Sequence, residues 1–269
     1  MTIKSKRKKF VKHIIKYNVL DYFIPRLRRL YKRLGILDVM DNCFYWIAWK
    51  LCNWAFTKGR LWSGDSTHEA NVPQTGAGIF IANHSHALDP FISACRINRK
   101  VHWVSKIENY YLPFFRPILQ SSGSIPIRRG ESDQNAMRLI RKELSQGEFV
   151  GMFPEGTRTR NGYLGRFHTG AARLCLEFQI PYIPVGVVGS YKSKIGDKID
   201  VHVGRARYPP KGMKDNYENA KWFAEQMRQD ILRLSGAVPD PQYVKAKAVN
   251  AKVEEIPTAV STPSITKMH

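Results

Sequence analysis

The chain reads as an α/β protein with a mostly parallel central sheet flanked by helices. Two observations predict this fold class. From about residue 77 onward, short apolar runs of strand length alternate with segments of helical period. The 269 residues are enough for one large domain with a buried core and short appendages, and too few for two full domains.

The elements follow in order. Residues 78–82, Gly-Ile-Phe-Ile-Ala, form a strand-like run. Asp89-Pro90 then has the form of a helix start, with Asp as N-cap and Pro in the first turn, and predicts a helix over 90–96. A strand over 101–104 leads into a helical stretch, interrupted by proline, that reaches Leu119. Residues 124–128 are strand-like, 133–144 helical, 149–153 a strand and 170–178 a helix. Strands over 182–188 and 199–203 and an amphipathic helix over 216–234 complete the domain. No internal repeat of fixed period occurs. The domain is expected to span 61–237. Residues 238–269 shift to Ala, Val, Pro, Thr, Ser and Lys without periodicity and are expected to be a disordered tail.

Residues 1–60 differ in character. The formal net charge is +21, and about half of it lies in the first 33 residues, where Lys4, Lys6, Arg7, Lys8, Lys9, Lys12, Lys16, Arg26, Arg28, Arg29, Lys32 and Arg33 oppose Asp21 alone. Such asymmetry implies an anionic surface as partner. Phe10, Ile14, Ile15, Leu27, Leu30, Tyr31 and Leu34 recur at helical spacing between these cations, and Pro25 is expected to divide the stretch into two helices. Residues 43–56 gather Phe44, Tyr45, Trp46, Trp49, Trp54 and Phe56, side chains that settle at a headgroup boundary. Together they predict an N-terminal amphipathic two-helix membrane platform on an anionic leaflet. The segment 36–56 is apolar but carries Asp38, Asp41 and Lys50. Each charge near mid-bilayer costs about 2.5–3.5 kcal/mol, so the segment is expected to lie on a membrane and not to cross it.

No secretory pattern is present, since Lys12 and Lys16 interrupt the one apolar candidate. Cys43, Cys52, Cys95 and Cys175 show no CxxC spacing and are expected to be reduced thiols. No RNA-binding or helix-turn-helix signature accompanies the charge, so nucleic acid is not an expected partner.

Two strings carry chemistry. Asn83-His84-Ser85-His86-Ala87-Leu88-Asp89 supplies an imidazole and a carboxylate five positions apart, directly after a strand. A histidine held by a carboxylate keeps one tautomer and is stabilised on taking a proton, as deprotonation of a hydroxyl requires. Phe153-Pro154-Glu155-Gly156-Thr157-Arg158 puts a carboxylate and a guanidinium on a turn after another strand. Arg128 and Arg129 end a third, and guanidinium groups from separate strand ends can grip a phosphate. In open α/β sheets ligands gather beyond the carboxyl ends of strands, where all three strings lie. The residues thus predict base catalysis beside anion binding.

In these strings the chain resembles the glycerolipid acyltransferase family, specifically its 1-acylglycerol-3-phosphate (lysophosphatidate) acyltransferases. The resemblance covers about residues 75–205 and rests on four ordered blocks: His84 with Asp89, Gly123 to Arg129, Phe153 to Arg158, and Ile183-Pro184-Val185. It implies direct transfer of a fatty acyl group from acyl-CoA or acyl carrier protein to the free hydroxyl of a lysophospholipid, 1-acylglycerol-3-phosphate giving phosphatidate. It implies His84 as general base and Asp89 as its orienting partner. Arg129, Glu155, Gly156 and Arg158 would form the phosphate site, and Pro184 would lie near the acyl donor. Neither metal nor cofactor is implied, and the setting is peripheral, on the cytoplasmic face of a membrane. The family commonly has Ser two positions after the catalytic His, where this chain has His86. Two alternatives stay open: a different lysolipid acceptor, and a metal-dependent hydrolase using His84, His86 and Asp89.

Overall fold

The computed structural model describes residues 19–57, 66–67, 71–112, 115–128, 133–159, 161–194 and 196–244. Two helices lead, α1 (Val19–Arg33) and α2 (Leu37–Thr57), then a short strand β1 (Ser66–Thr67). The core continues through β2 (Gly78–Ala82), α3 (Asp89–Cys95), β3 (Val101–Lys106), a 3-10 turn (Ile107–Tyr111), α4 (Phe115–Ser121) and β4 (Ile125–Ile127). It closes with α5 (Gln134–Ser145), β5 (Phe149–Met152), α6 (Gly170–Phe178), β6 (Tyr182–Val188), β7 (Asp200–Val203) and α7 (Tyr217–Ser235). The strands form one sheet in the order β1-β7-β6-β2-β5-β3-β4. Only the β6–β7 pair is antiparallel among the described strands, so the expected fold class is the one observed.

The middle strand, β2, is buried throughout, and its side chains alternate between two cores. Ile79 and Ile81 join Ile140 of α5, Leu174 of α6 and Met227 of α7 on one face. Phe80 and Ala82 join Ile92 of α3, Trp103 and Phe149 on the other. Each such side chain, fully buried, contributes about 1.5–3 kcal/mol, and cover on both faces leaves the strand ends as the place for polar loops. Parallel register aligns those ends: Gly78 and Val101 both sit opposite Phe149, so β2, β3 and β5 deliver their loops to one edge. Two expected helix starts prove to be caps. Asp133 accepts from the Ala136 N–H at 3.0 Å, and Asn216 from the Asn219 N–H at 2.8 Å.

Three expectations are corrected. Helix α1 runs through Pro25 without a break: the ring fixes a helical φ, and the lost donor and the crowding of the preceding turn do not end the helix here; residues 10–18 lie outside those described. The aromatics of α2 do not act as one group. Tyr45 is buried and accepts from the Val101 N–H at 3.2 Å, and Trp49 donates to the Ala94 carbonyl at 2.9 Å, so these two dock α2 on the core. Phe44, Trp46, Ile47, Leu51 and Trp54 face outward. Arg28 fixes α1 to the same assembly through Asp41 and, at 3.0 Å, through Ser121 Oγ. Finally, the tail expected to be disordered from 238 begins as ordered chain. The Leu164 N–H donates to the Val238 carbonyl at 2.9 Å and the Asp240 N–H to the Leu164 carbonyl at 3.0 Å, because an unpaired loop backbone there gains a ladder partner. Residues 245–269 lie outside those described. Among the described residues no helix is long and apolar enough to cross a membrane.

Candidate active site

The loop leaving β2 is shaped by side chains that replace backbone pairing. Asn83, buried, donates to the Val187 carbonyl and accepts from its N–H, both at 2.8 Å, which extends the β2–β6 ladder by one step. His84 follows with its Nδ1 at 3.0 Å from Asp89 Oδ2. Asp89 is fully buried, and the same oxygen accepts from the Ser85 and His86 N–H groups, each at 2.7 Å. Asp89 was expected to cap its own helix. Its carboxylate instead turns back to close the loop and to hold the imidazole, and no side chain caps α3.

The imidazole also lies on a column of rings. It stacks on Phe153 at 4.1 Å between centroids, and Phe153 stacks on Trp103 at 5.0 Å. Gly151 makes room for this column, since a Cβ there would fall 2.4 Å from the Trp103 ring. With Nδ1 committed to Asp89 and the ring faced by Phe153, Nε2 is the nitrogen left for a ligand.

Glu155 and Gly156 are not among the residues that line the cavity opening at His84, and both are engaged with the chain itself. Glu155 Oε1 accepts from the His84 N–H at 2.8 Å and Oε2 from the Gly165 N–H at 3.4 Å. Burial pushes its carboxyl up to about 7, opposed by these two N–H groups. Gly156 has φ +71 and turns the chain beside His168, whose ring would sit 3.0 Å from an added Cβ. Both residues therefore shape the turn; the carboxylate is drawn to buried N–H donors that nothing else satisfies.

A cavity of about 290 Å3 opens at His84. Its wall is mostly apolar, with Ala48 and Trp49 of α2, Phe91 and Ala94 of α3, and Ile118 of α4. His84, Arg158 and Lys106 supply polar groups to the same wall. The structure thus brings His84, Asp89 and Arg158 together, while Arg129 lies outside the described residues. Pro184 is placed away from this wall. It is buried in β6, opposite Ile81, with its carbonyl accepting from the Gly204 N–H at 2.8 Å, because an apolar residue in the sheet interior packs there.

Sequence reasoning missed Lys106, Trp103 and the role of Asn83. Lys106 ends β3 as Arg128 follows β4, a signal that was available. The ring column was not legible, since nothing in the string Phe153 to Arg158 tells which ring its first residue meets. His86 Nδ1 accepts from the Leu88 N–H at 3.3 Å, and among the described residues no three His, Cys, Asp or Glu side chains converge as metal ligands.

Residues 65–188 match the family model described as Acyltransferase. The chain is 25% identical over 125 residues to the chloroplastic 1-acyl-sn-glycerol-3-phosphate acyltransferase of Brassica napus, covering 45% of this chain and 36% of that one. It is 25% identical over 172 residues to the 1-acyl-sn-glycerol-3-phosphate acyltransferase of Helicobacter pylori, covering 59% and 70%. The chain thus spans little more than a third of the plant relative's length. The crystal structure of the 1-acyl-sn-glycerophosphate (LPA) acyltransferase from Thermotoga maritima superposes with a TM-score of 0.56 over 84% of this chain and 88% of that one, a likeness of fold at 18% identity. The His84–Asp89 and Phe153–Arg158 blocks lie inside the matched region, so it is over the segment that carries them that the chain is similar to these acyltransferases.

Proposed function

We propose that this protein moves a fatty acyl group from a thioester to the free hydroxyl of a lysophospholipid, with 1-acylglycerol-3-phosphate as acceptor and phosphatidate as product. One observation carries the reading: the His84–Asp89 pair stands at the opening of an apolar cavity whose wall also holds Arg158 and Lys106. His84 Nε2 takes the hydroxyl proton as the oxygen attacks the thioester carbonyl, and Asp89 stabilises the imidazolium. Collapse of the tetrahedral adduct breaks the C–S bond, and the proton passes to the departing thiolate. The thioester is already activated, so orientation and a base suffice.

Arg158 binds the acceptor phosphate in this reading, with Lys106 beside it and Arg129 as the further candidate. The acyl chain occupies the cavity between α2 and α3. The donor thioester is acyl-CoA or acyl carrier protein. Glu155 and Gly156 serve the phosphate site indirectly, by shaping the turn that carries Arg158. Pro184, buried in β6, would act on the donor only through the strand that holds it.

The protein acts from a membrane surface, on the cytoplasmic face. The outward Leu27, Leu30, Phe44, Trp46, Ile47, Leu51 and Trp54 of α1 and α2 support this, as does the basic N-terminus, each Lys or Arg near anionic lipid contributing about 1 kcal/mol. Incubation with a mixed pool of lysophospholipids and acyl thioesters, read by mass spectrometry, tests the reaction. Phosphatidate as the main product is expected, and a product from another lysolipid would redirect the acceptor. Liposome flotation tests the surface: removal of residues 1–34 is expected to weaken binding, and undiminished flotation would exclude the platform.

A further inference from the structure

The backbone of His84 is gripped at both ends by the loop that follows β5. Its N–H donates to Glu155 Oε1 at 2.8 Å, and its carbonyl accepts from the Thr159 N–H at 2.8 Å. The other Glu155 oxygen reaches the Gly165 N–H at 3.4 Å. Gly165 in turn gives its carbonyl to Arg228 Nε at 3.0 Å. Arg228 comes from α7, on the far side of the sequence, and is 3% exposed. Its guanidinium lies 4.6 Å over the Tyr243 ring and reaches Glu225 at 3.3 Å, and its Nη2 is buried without a hydrogen-bond partner. The residue before Gly165, Leu164, is the one laddered to Val238 and Asp240.

A continuous polar path therefore joins the last helix to His84: Arg228, Gly165, Glu155, then the His84 N–H. A buried arginine is costly unless it is matched by negative charge. Glu225 at 3.3 Å is the carboxylate in contact with it, and Glu155 is joined to it through the Gly165 peptide. The Glu155 carboxylate is disfavoured chiefly by its burial, and the His84 and Gly165 N–H groups oppose that cost directly. Neither charge is explained by contact with the cavity, whose wall includes neither residue.

We infer that Glu155 and Arg228 form a positioning pair for His84, directed at the backbone of the proposed base and not at the acceptor phosphate. This rests on the acyl-transfer reading for its effect on rate, but its geometry can be read without turnover. The pair fixes the peptide before the imidazole while Asp89 fixes the ring, so that Nε2 keeps its aim into the cavity. Misplacement of a reacting group by about 1 Å costs on the order of 100-fold in rate.

The test uses the full chain with lysophosphatidate, an acyl thioester and two substitutions at each position. Glu155→Ala is expected to lower kcat about 100-fold with the KM for lysophosphatidate within about twofold, and Arg228→Met to lower kcat about tenfold in the same way. Glu155→Gln keeps an acceptor for the His84 N–H and is expected to restore most of the loss, as is Arg228→Lys in part. Amide hydrogen exchange supplies the independent readout. Exchange at His84 is expected to rise in Glu155→Ala while the β5 amides stay protected. Should that variant fail to fold, Glu155→Gln carries the test: its Nε2 meets the Gly165 N–H donor to donor, so Gly165 exchanges faster while His84 stays protected. A raised lysophosphatidate KM with kcat retained would make Glu155 a phosphate ligand and overturn the pair, as would unchanged exchange at both amides. If the native chain forms no phosphatidate, the acyl-transfer reading fails, and exchange alone decides the pair.

Discussion

A single oxygen of Asp89, Oδ2, holds His84 both by its ring and by its loop, accepting from Nδ1 at 3.0 Å and from the next two backbone N–H groups at 2.7 Å. The carboxylate is fully buried, so the loop and the imidazole share one anchor. Asp89→Asn separates the two functions. The amide oxygen still accepts from the Ser85 and His86 N–H groups, but the charge that stabilises an imidazolium is gone. The expected result is a kcat loss of about 100-fold or more with melting temperature little changed. Wild-type turnover in Asp89→Asn would mean that His84 works without its carboxylate.

The dyad was legible in the sequence because its two members are five positions apart, His84 on the loop after β2 and Asp89 at the first residue of α3. The same holds for the fold: β2, α6 and β6 are each bounded by the residues that periodicity picks out, and the helix caps at Asp133 and Asn216 misled by a single residue. What was not legible depends on partners far apart in the chain. The family resemblance assigns Glu155 to the phosphate site; its hydrogen-bond partners, the His84 and Gly165 N–H groups, are fixed by how the chain folds back and could not be read from the string. Tyr45 and Trp49 looked interfacial because composition cannot distinguish the docking face of α2 from the outward one. The ladder between Leu164 and the 238–240 segment has no pattern at all, since it needs only backbone.

Arg158 is exposed and lines the cavity together with Lys106, whose nearest partner is Glu108 at 3.1 Å. In the proposed reading these two cations of one cavity wall share the acceptor phosphate. Arg158→Ala is expected to raise the acceptor KM about 10-fold to 100-fold while kcat falls less, since a charge-assisted contact contributes about 1.5–3 kcal/mol. Lys106→Ala should act in the same direction. An unchanged acceptor KM in Arg158→Ala, measured by steady-state kinetics, contradicts phosphate binding there.

Ala48 of α2 and Ala94 of α3 are small residues on opposite helices of the cavity wall. Replacing either by Phe fills space that an acyl chain would use. Each buried CH2 contributes about 0.8 kcal/mol, roughly fourfold in affinity, so loss of a few methylene sites shifts preference strongly toward shorter chains. Competition among acyl thioesters of graded length, read by mass spectrometry of the products, checks this. A product distribution unaltered in both variants would place the acyl chain elsewhere.

Glu155 gives the protein a pH dependence whose sign is fixed by burial. Its carboxyl is pushed up to about 7 in the folded chain from an ordinary value of 4.5. Between those two values the unfolded chain has released the proton while the folded chain still holds it, so stability falls as pH rises through this window and levels above it. The contribution is at most about 3–4 kcal/mol, at about 1.36 kcal/mol for each pH unit of separation. Glu155→Gln has no proton to release and should lose this share of the decline. Urea midpoints at pH 5 and pH 7.5 for both chains measure it, and comparison of the two removes contributions from all other titrating groups. The native chain should lose more stability between the two pH values than the glutamine variant. Equal losses would mean that Glu155 ionises in the folded protein as it does in water, and that its contacts with the His84 and Gly165 N–H groups fully offset its burial.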